Sequence, residues 1–395
     1  MLLSDHWQLN PEIDFLNHGS FGACPRIVLQ KQRDLIDELE RDPIHYLAPE
    51  RQLEPKLDQV RQTIGQLINA PSSDIAFVRN ATDGVNAVLN SVPLEPLDEI
   101  LITNHGYNAC NNAARHVAEK TGAKVTVAEI PFPLKSSSDV ITAIEQEITA
   151  RTRLVLVDHV TSPTGLILPV KEIIALAHKN GSQVLVDGAH AAGMLPLNLA
   201  TLAPDFYTAN HHKWLCCPKA SGFLFVKPEL QDQIRPTVIS HGANQIRSDR
   251  SRFRVEFDWT GTYDPTPILA VNAAIDFMGS LYDGGLSELY KTNRQKTLAA
   301  RKLLCDELQI DVPSSDDMIG SLATIPLNAT QLPKTGNPTH ATDQLQRILY
   351  QEHGFELPIF QFGSASAPFL RISMQAYNEL HQIERLAVAV SQITT

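Results

Sequence analysis

The chain has 395 residues, 43% of them hydrophobic, and 33 Lys+Arg against 44 Asp+Glu give a net charge of −11. That is enough apolar material for a large core, organised as one big and one smaller domain, and it excludes a disordered chain. The acidic balance excludes broad electrostatic attraction to nucleic acid or to an anionic membrane surface, so any anion site has to be local.

The first residues, Met-Leu-Leu-Ser-Asp-His-Trp, lack the basic-then-apolar pattern of a signal peptide, and no apolar run is long enough to span a bilayer. The five cysteines (Cys24, Cys110, Cys216, Cys217, Cys305) are odd in number and show no metal-ligand spacing. Reduced thiols in a cytoplasmic protein are the simplest reading. Phe15 to Gly22 is a short apolar run stopped by small residues, and Pro25 then opens a helix through about Leu39. Its Asn17, His18 and glycines suit either a plain turn or a close approach to a ligand. The spacing of Leu53, Leu57, Val60, Ile64, Leu67 and Ile68 predicts a structural helix.

From Asp74 to Leu89 a strand passes through the turn Asn80-Ala81-Thr82 into a helix. Thr82 is a capping-type residue, and free N–H groups at such a turn either serve as an ordinary N-cap or hold a phosphate. Ile100 to Thr103 is a strand, and His105-Gly-Tyr107-Asn108 leads into a helix ending near Thr121. His105 suits stacking on a flat ring and equally a satisfied, partly buried histidine. Arg153 to Asp158 is a strand followed by a turn containing Ser162; Pro169 opens a helix over Val170 to His178, and Val184 to Asp187 is the next strand. This alternation predicts a mainly parallel, doubly wound α/β sheet.

Lys213 sits on a turn between the strand around Phe206 and the strand Gly222 to Val226, flanked by His212 and Trp214. A lysine in such surroundings suits a Schiff-base amine better than a surface ammonium. Asp187 closes the strand upstream, and the interval places both groups at the carboxyl edge of one sheet, where open α/β folds bind ligands. Pyridoxal phosphate needs this pair: a lysine for its aldehyde and an acid to keep its pyridine nitrogen protonated. Asp187 as a helix N-cap is the plain alternative.

Beyond Val226, the polar stretch 235–254, with Arg235, His241, Asn244 and Arg247 as candidates for substrate recognition, suggests loops near the site or an interface. Gly261-Thr262 precedes an apolar helix over 268–278. A long helix over 286–308 leads to a smaller unit with strands near 321–325 and 369–373, a surface loop over 330–340 and a last helix from Asn378. Arg371 lies in an apolar strand, where a guanidinium needs an anionic partner: a substrate carboxylate held bidentately, or a structural salt bridge.

Taken together, Asp187-Gly-Ala-His190, Asn210-His-His212-Lys213, Asn80-Ala81-Thr82, His105, Gly261-Thr262 and Arg371-Ile-Ser resemble the class V aminotransferase-type, fold type I pyridoxal-phosphate enzymes. Phe15 to Pro25, Glu40-Arg-Asp-Pro43 and His212-Lys-Trp-Leu215 look most like isopenicillin N epimerase-like proteins, related to cysteine desulfurases and C–S lyases. The resemblance implies that Lys213 carries the cofactor as a Schiff base and then shuttles the α-proton. It implies that Asp187 faces the pyridinium nitrogen, that His190 and Ser162 lie near the ring oxygen, and that His105 stacks on the ring. By the same resemblance Ala81, Thr82, Asn210 and His212 hold the phosphate, with Gly261 and Thr262 reaching it from the other subunit of a homodimer. Arg371, with Asn17 and His18, receives the amino-acid substrate.

Two departures bear on the reaction. Ser162 stands where desulfurases carry an asparagine, and residues 355–370 contain Gln361, Ser364 and Ser366 but no cysteine to accept sulfur. These departures disfavour a persulfide-forming desulfurase, and Lys213, Asp187 and Arg371 together argue against a non-catalytic binding protein; an amino-acid epimerase or C–S β-lyase is favoured, with an aminotransferase as the alternative. The expected organisation is an N-terminal segment over 1–45 packing on both domains, a cofactor-binding domain over 46–280 and a small C-terminal domain over 281–395.

Overall fold

The computed structural model describes residues 2–327, 338–362 and 368–393. Its strands, in chain order, are β1 (Asp14–Phe15), β2 (Ile75–Val78), β3 (Glu99–Thr103), β4 (Lys124–Ala128), β5 (Thr152–Asp158), β6 (Gln183–Asp187), β7 (Phe206–Asn210), β8 (Gly222–Val226), β9 (Leu322–Pro326), β10 (Phe355–Glu356), β11 (Ile359–Phe360) and β12 (Phe369–Ser373). Seven of them form one sheet in the order β2-β8-β7-β6-β5-β3-β4. The pairs from β4 across to β7 are parallel, and β8 runs antiparallel between β7 and β2. This is the mainly parallel doubly wound sheet of the fold type I enzymes.

Both faces of that sheet are covered, which is why its central strands read as unbroken apolar runs. Val155, Val157, Val184 and Val186 enter one core, whereas Leu154, Leu156, Leu185 and Phe206 enter the other. The first core is closed by the helix Glu54–Ile68 through Leu57, Val60, Ile64 and Ile68, the periodicity that predicts it. Helices Ala81–Leu89 and Asn108–Thr121 close the second. A third core, around Leu16, Leu304, Ile325, Ile372 and Leu386, holds the sheet β11-β12-β9 against the helices Gly285–Glu307 and Leu380–Ile393. The parallel pair β1–β10 ties the N-terminal segment to this part of the chain.

Where expectation and structure differ, the cause is local. β4 and the helix Ser137–Glu147 were not anticipated: β4 is a half-buried edge strand without strict alternation, and the helix announces itself by its capping box of Ser136 and Asp139. The apolar helix expected over 268–278 is broken in two at Ala270. The loop expected over 330–340 lies mostly outside the described residues, and its last three residues already belong to the helix Pro338–His353. Among the described residues no helix is long and apolar enough to cross a membrane.

Candidate active site

The register of the sheet brings the chemistry to one edge. Asp158 at the end of β5 is the partner of Asp187 at the end of β6, and Asp187 in turn is the partner of Thr208 in β7. Lys213 follows the end of β7 by three residues. Gly22 lets the N-terminal segment press against its loop: its φ is +69°, and a Cβ there would stand 2.1 Å from the carbonyl oxygen of His212. His18 completes the clamp. Its Nε2 bonds the carbonyl of Lys213 at 2.9 Å and its Nδ1 the hydroxyl of Tyr377 at 2.7 Å. With both ring nitrogens bonded, His18 holds the lysine loop.

The Lys213 amine touches His190, with Nζ 3.2 Å from Nε2. On its other side His190 accepts the indole N–H of Trp214 at Nδ1, 3.2 Å away. That acceptor role puts the proton of a neutral imidazole on Nε2, the atom that faces the Lys213 amine. The electrostatics agree: burial, with Lys213 beside it, holds His190 far below the ordinary histidine range, and burial pulls the Lys213 ammonium down to about 8. Among the described residues Lys213 has no carboxylate within ion-pair distance, and at about 8 it gives up its proton far more readily than an exposed lysine, reaching the free amine that attacks an aldehyde.

Asp187 is buried, accepting the Ala189 N–H at Oδ1 (3.0 Å) and the Cys110 thiol at Oδ2 (3.1 Å). Both bonds favour its anion, although burial raises its pKa. His105 is buried as well, taking the Thr164 hydroxyl at Nδ1 (2.7 Å) and donating from Nε2 to the Ile130 carbonyl (3.1 Å). Burial lowers it to about 4, so its available chemistry is a flat neutral ring rather than a proton transfer. Its ring meets Phe362 and Phe132 edge-on.

At the helix Ala81–Leu89 the cap is Asn80 rather than Thr82, its side chain accepting the Asp83 N–H at 2.9 Å. The Ala81 N–H goes to Asn210 Oδ1 at 2.8 Å, which ties the helix start to the end of β7. Gly84 allows that approach, since a Cβ would stand 2.2 Å from the Thr208 hydroxyl. The helix N-terminus with Thr82 is left as the anion-facing part. His212 donates from Nδ1 to the Ser221 carbonyl (3.1 Å), and burial lowers it to about 4.

Arg371 is 5% exposed, yet among the described residues it has no carboxylate partner. It donates to the Ser162 carbonyl and hydroxyl and to the Ser20 hydroxyl (3.1 Å), while its Nε has no partner. Burial pulls it down to about 10, the mark of an uncompensated cation. Ser162 faces Arg371 through both its carbonyl and its hydroxyl. Asn17 acts one step back: it accepts the Ser20 hydroxyl at 2.6 Å and donates to Glu356 at 2.9 Å. Arg371, Ser162, Tyr107, Asn108 and Phe362 line a cavity of about 630 Å³.

Gly261 and Thr262 do not join this group. They line a different cavity of about 560 Å³ with Phe77, Lys219 and Thr237. Of the loop candidates, Arg235 is paired with Glu256, and Arg247 with Glu54 (2.6 Å) and Asp249, while His241 and Asn244 are exposed. The two arginines are thereby spent on holding the loop. Ser364 and Ser366 lie outside the described residues. Sequence reasoning missed Cys110, Ser20, Thr164 and Asp158. Only Asp158 carried a signal, because it closes a buried strand as Asp187 does.

The residues present suit a pyridoxal phosphate: a buried lysine amine that gives up its proton readily, a buried acid one strand away, a neutral imidazole and a helix N-terminus at one sheet edge. Fold and site together define the class of fold type I pyridoxal-phosphate enzymes. The chain belongs to the aminotransferase class-V family, whose model matches residues 28–386. It is 31% identical to isopenicillin N epimerase of Streptomyces clavuligerus, over 98% of this chain and 96% of that protein. It is 27% identical to a probable chloroplastic L-cysteine desulfhydrase of Arabidopsis thaliana, over 97% of this chain and 83% of that protein. Among solved structures, a C-DES mutant with glycine covalently linked to its PLP cofactor shares the fold, with a TM-score of 0.80 at 19% identity and 99% of both chains covered.

Proposed function

We propose that this enzyme transforms an α-amino acid by removing its Cα proton, as an epimerase or a C–S β-lyase, with transamination as the alternative outcome. The observation that carries the reading is the pairing of a reactive amine, Lys213, with an uncompensated buried guanidinium, Arg371, whose field reaches both Lys213 and His190. Bound at this edge, pyridoxal phosphate supplies an electron sink for negative charge at Cα. Lys213 is the group placed to anchor it and then to take and return the proton. Asp187 faces the ring nitrogen, and the Nε2 proton of His190, fixed there by Trp214, faces the ring oxygen. Ala81, Thr82, Asn210 and His212 hold the phosphate, and His105 lies against the ring.

Arg371 receives the substrate carboxylate, with Ser162 and Ser20 keeping its fork oriented and Asn17 holding Ser20. Gly261 and Thr262 complete the phosphate site of a neighbouring copy in a homodimer, which accounts for their distance from Lys213 in one chain. The division into 1–45, 46–280 and 281–395 follows from the same reading. Relatives called epimerase and desulfhydrase support the two fates first named, and the lack of a cysteine over 355–370 argues against a desulfurase.

The test is a panel of amino acids and cysteine conjugates turned over in deuterated water. Deuterium at Cα with inversion identifies an epimerase, and pyruvate with a released thiol a lyase. A cofactor left in its amine form identifies a transaminase. No exchange with any of them overturns the reading. Arg371→Ala should lower kcat/KM for carboxylate substrates by about thirtyfold or more while the cofactor stays bound. The variant loses the hydrogen bonds to Ser162 and Ser20 and leaves a cavity, so it should melt somewhat lower than the parent yet keep the cofactor; loss of the cofactor as well would make Arg371 structural.

A further inference from the structure

Two adjacent strands of the central sheet, β5 and β6, each end in a buried aspartate, and the two are register partners. In a parallel pair, register partners project to the same side of the sheet, so Asp158 and Asp187 share one low-dielectric edge. Among the described residues neither has a cation within ion-pair distance. The groups facing them are the Cys110 thiol and Tyr107 N–H from the start of the helix Asn108–Thr121, Tyr207 from β7, whose hydroxyl bonds His159, and the Lys213 amine beyond. Two ionised carboxylates cannot sit side by side in such a place; one of them keeps a proton.

The donors decide which. Asp187 accepts two hydrogen bonds, from Ala189 and Cys110, whereas Asp158 accepts one, from the Tyr107 N–H at 3.2 Å. The better-solvated oxygens carry the charge. Resting on the cofactor reading above, we propose that Asp158 is a protonated carboxyl and a positioning residue. It leaves Asp187, braced by Cys110, as the single anion facing the cofactor's ring nitrogen. One anion matches one pyridinium charge, where a second would be an uncompensated buried ion. Asp158 fills the neighbouring strand end with a neutral group of the same shape and keeps water from Asp187. The directions agree: burial and the adjacent Asp187 push Asp158 well above the carboxylate range, while at Asp187 burial also raises the carboxyl but the Cys110 and Ala189 hydrogen bonds oppose it.

The experiment compares Asp158→Asn, Asp187→Asn and Cys110→Val with the parent protein. Pyridoxal phosphate binding is measured by titration, and buried acids by the infrared carbonyl stretch that marks a protonated carboxyl. Asp158→Asn copies the neutral acid, so cofactor affinity should stay within about threefold and the protonated-acid band should vanish. Asp187→Asn should lose affinity about a hundredfold, and Cys110→Val about tenfold, the worth of a hydrogen bond to a charged group. The proposal is overturned if Asp158→Asn loses the cofactor as Asp187→Asn does, if the band survives in Asp158→Asn, or if Cys110→Val binds unchanged. Should the parent bind no pyridoxal phosphate, the cofactor reading fails instead, and the infrared comparison of cofactor-free proteins still decides where the proton sits.

Discussion

Lys213→Ala should yield a folded, colourless protein whose turnover is lower by on the order of a thousandfold or more. Two functions are lost together, the covalent anchor of the cofactor and the base at Cα, so the visible absorption band and solvent exchange at Cα disappear in the same variant. The fold should survive, because among the described residues the amine has no carboxylate partner and its contact is the neutral His190. Removing a cation that burial already drives toward its free form relieves a desolvation cost and leaves no orphaned charge. The thermal midpoint of the cofactor-free variant should therefore match or exceed that of the cofactor-free parent. A small primary amine added to the solution should restore part of the exchange activity without restoring the covalent band. A variant that keeps the band, or a parent that never shows one, would remove Lys213 from the centre of the chemistry.

Much of this was legible in the residues. The buried strands around Asp158, Asp187 and Phe206 are continuous apolar runs because the sheet is covered on both faces, and the turns after them carry the polar groups, so the order of elements and the placing of Lys213 and Asp187 at the carboxyl edge of one sheet could be read directly. What could not be read is how each polar atom is spent. Ser162 and Arg371 are 209 positions apart, and nothing in either segment says that the serine takes the guanidinium. His18 looks like a ligand in a Gly-rich turn and turns out to hold the Lys213 carbonyl, a contact set by the left-handed bend at Gly22. Thr82 has the right type for a cap, yet it lies inside the first helical turn, and Asn80 holds the cap position and accepts the Asp83 N–H. Cys110 is one unremarkable thiol in a helix until the sheet brings Asp187 beneath it. In each case the missing information is a contact between distant segments, which only the packed chain supplies.

The same burial that prepares the site should make the protein sensitive to acid. His18 and His211 are lowered to about 3, His105, His159 and His212 to about 4, and His190 lies well below its ordinary 6.5, in every case chiefly through burial. For each, the folded state binds its proton less readily than the unfolded chain. Stability is therefore fully present above pH 6.5 and is lost as pH falls toward 4, at about 1.4 kcal/mol per pH unit per group. Asp158 and Asp187 act in the opposite sense, since their raised values let the folded state keep protons that the unfolded chain releases, offsetting two of the six. The lowered histidines outnumber the raised carboxyls, so the net effect of these groups is a loss of stability as pH falls below 6.5. Denaturant unfolding of the cofactor-free protein at pH 7, 6 and 5 should show the midpoint falling, most steeply over the last unit. A midpoint unchanged between pH 7 and pH 5 would mean that these histidines are not held neutral in the core, and with them would go the neutral His190 beside Lys213.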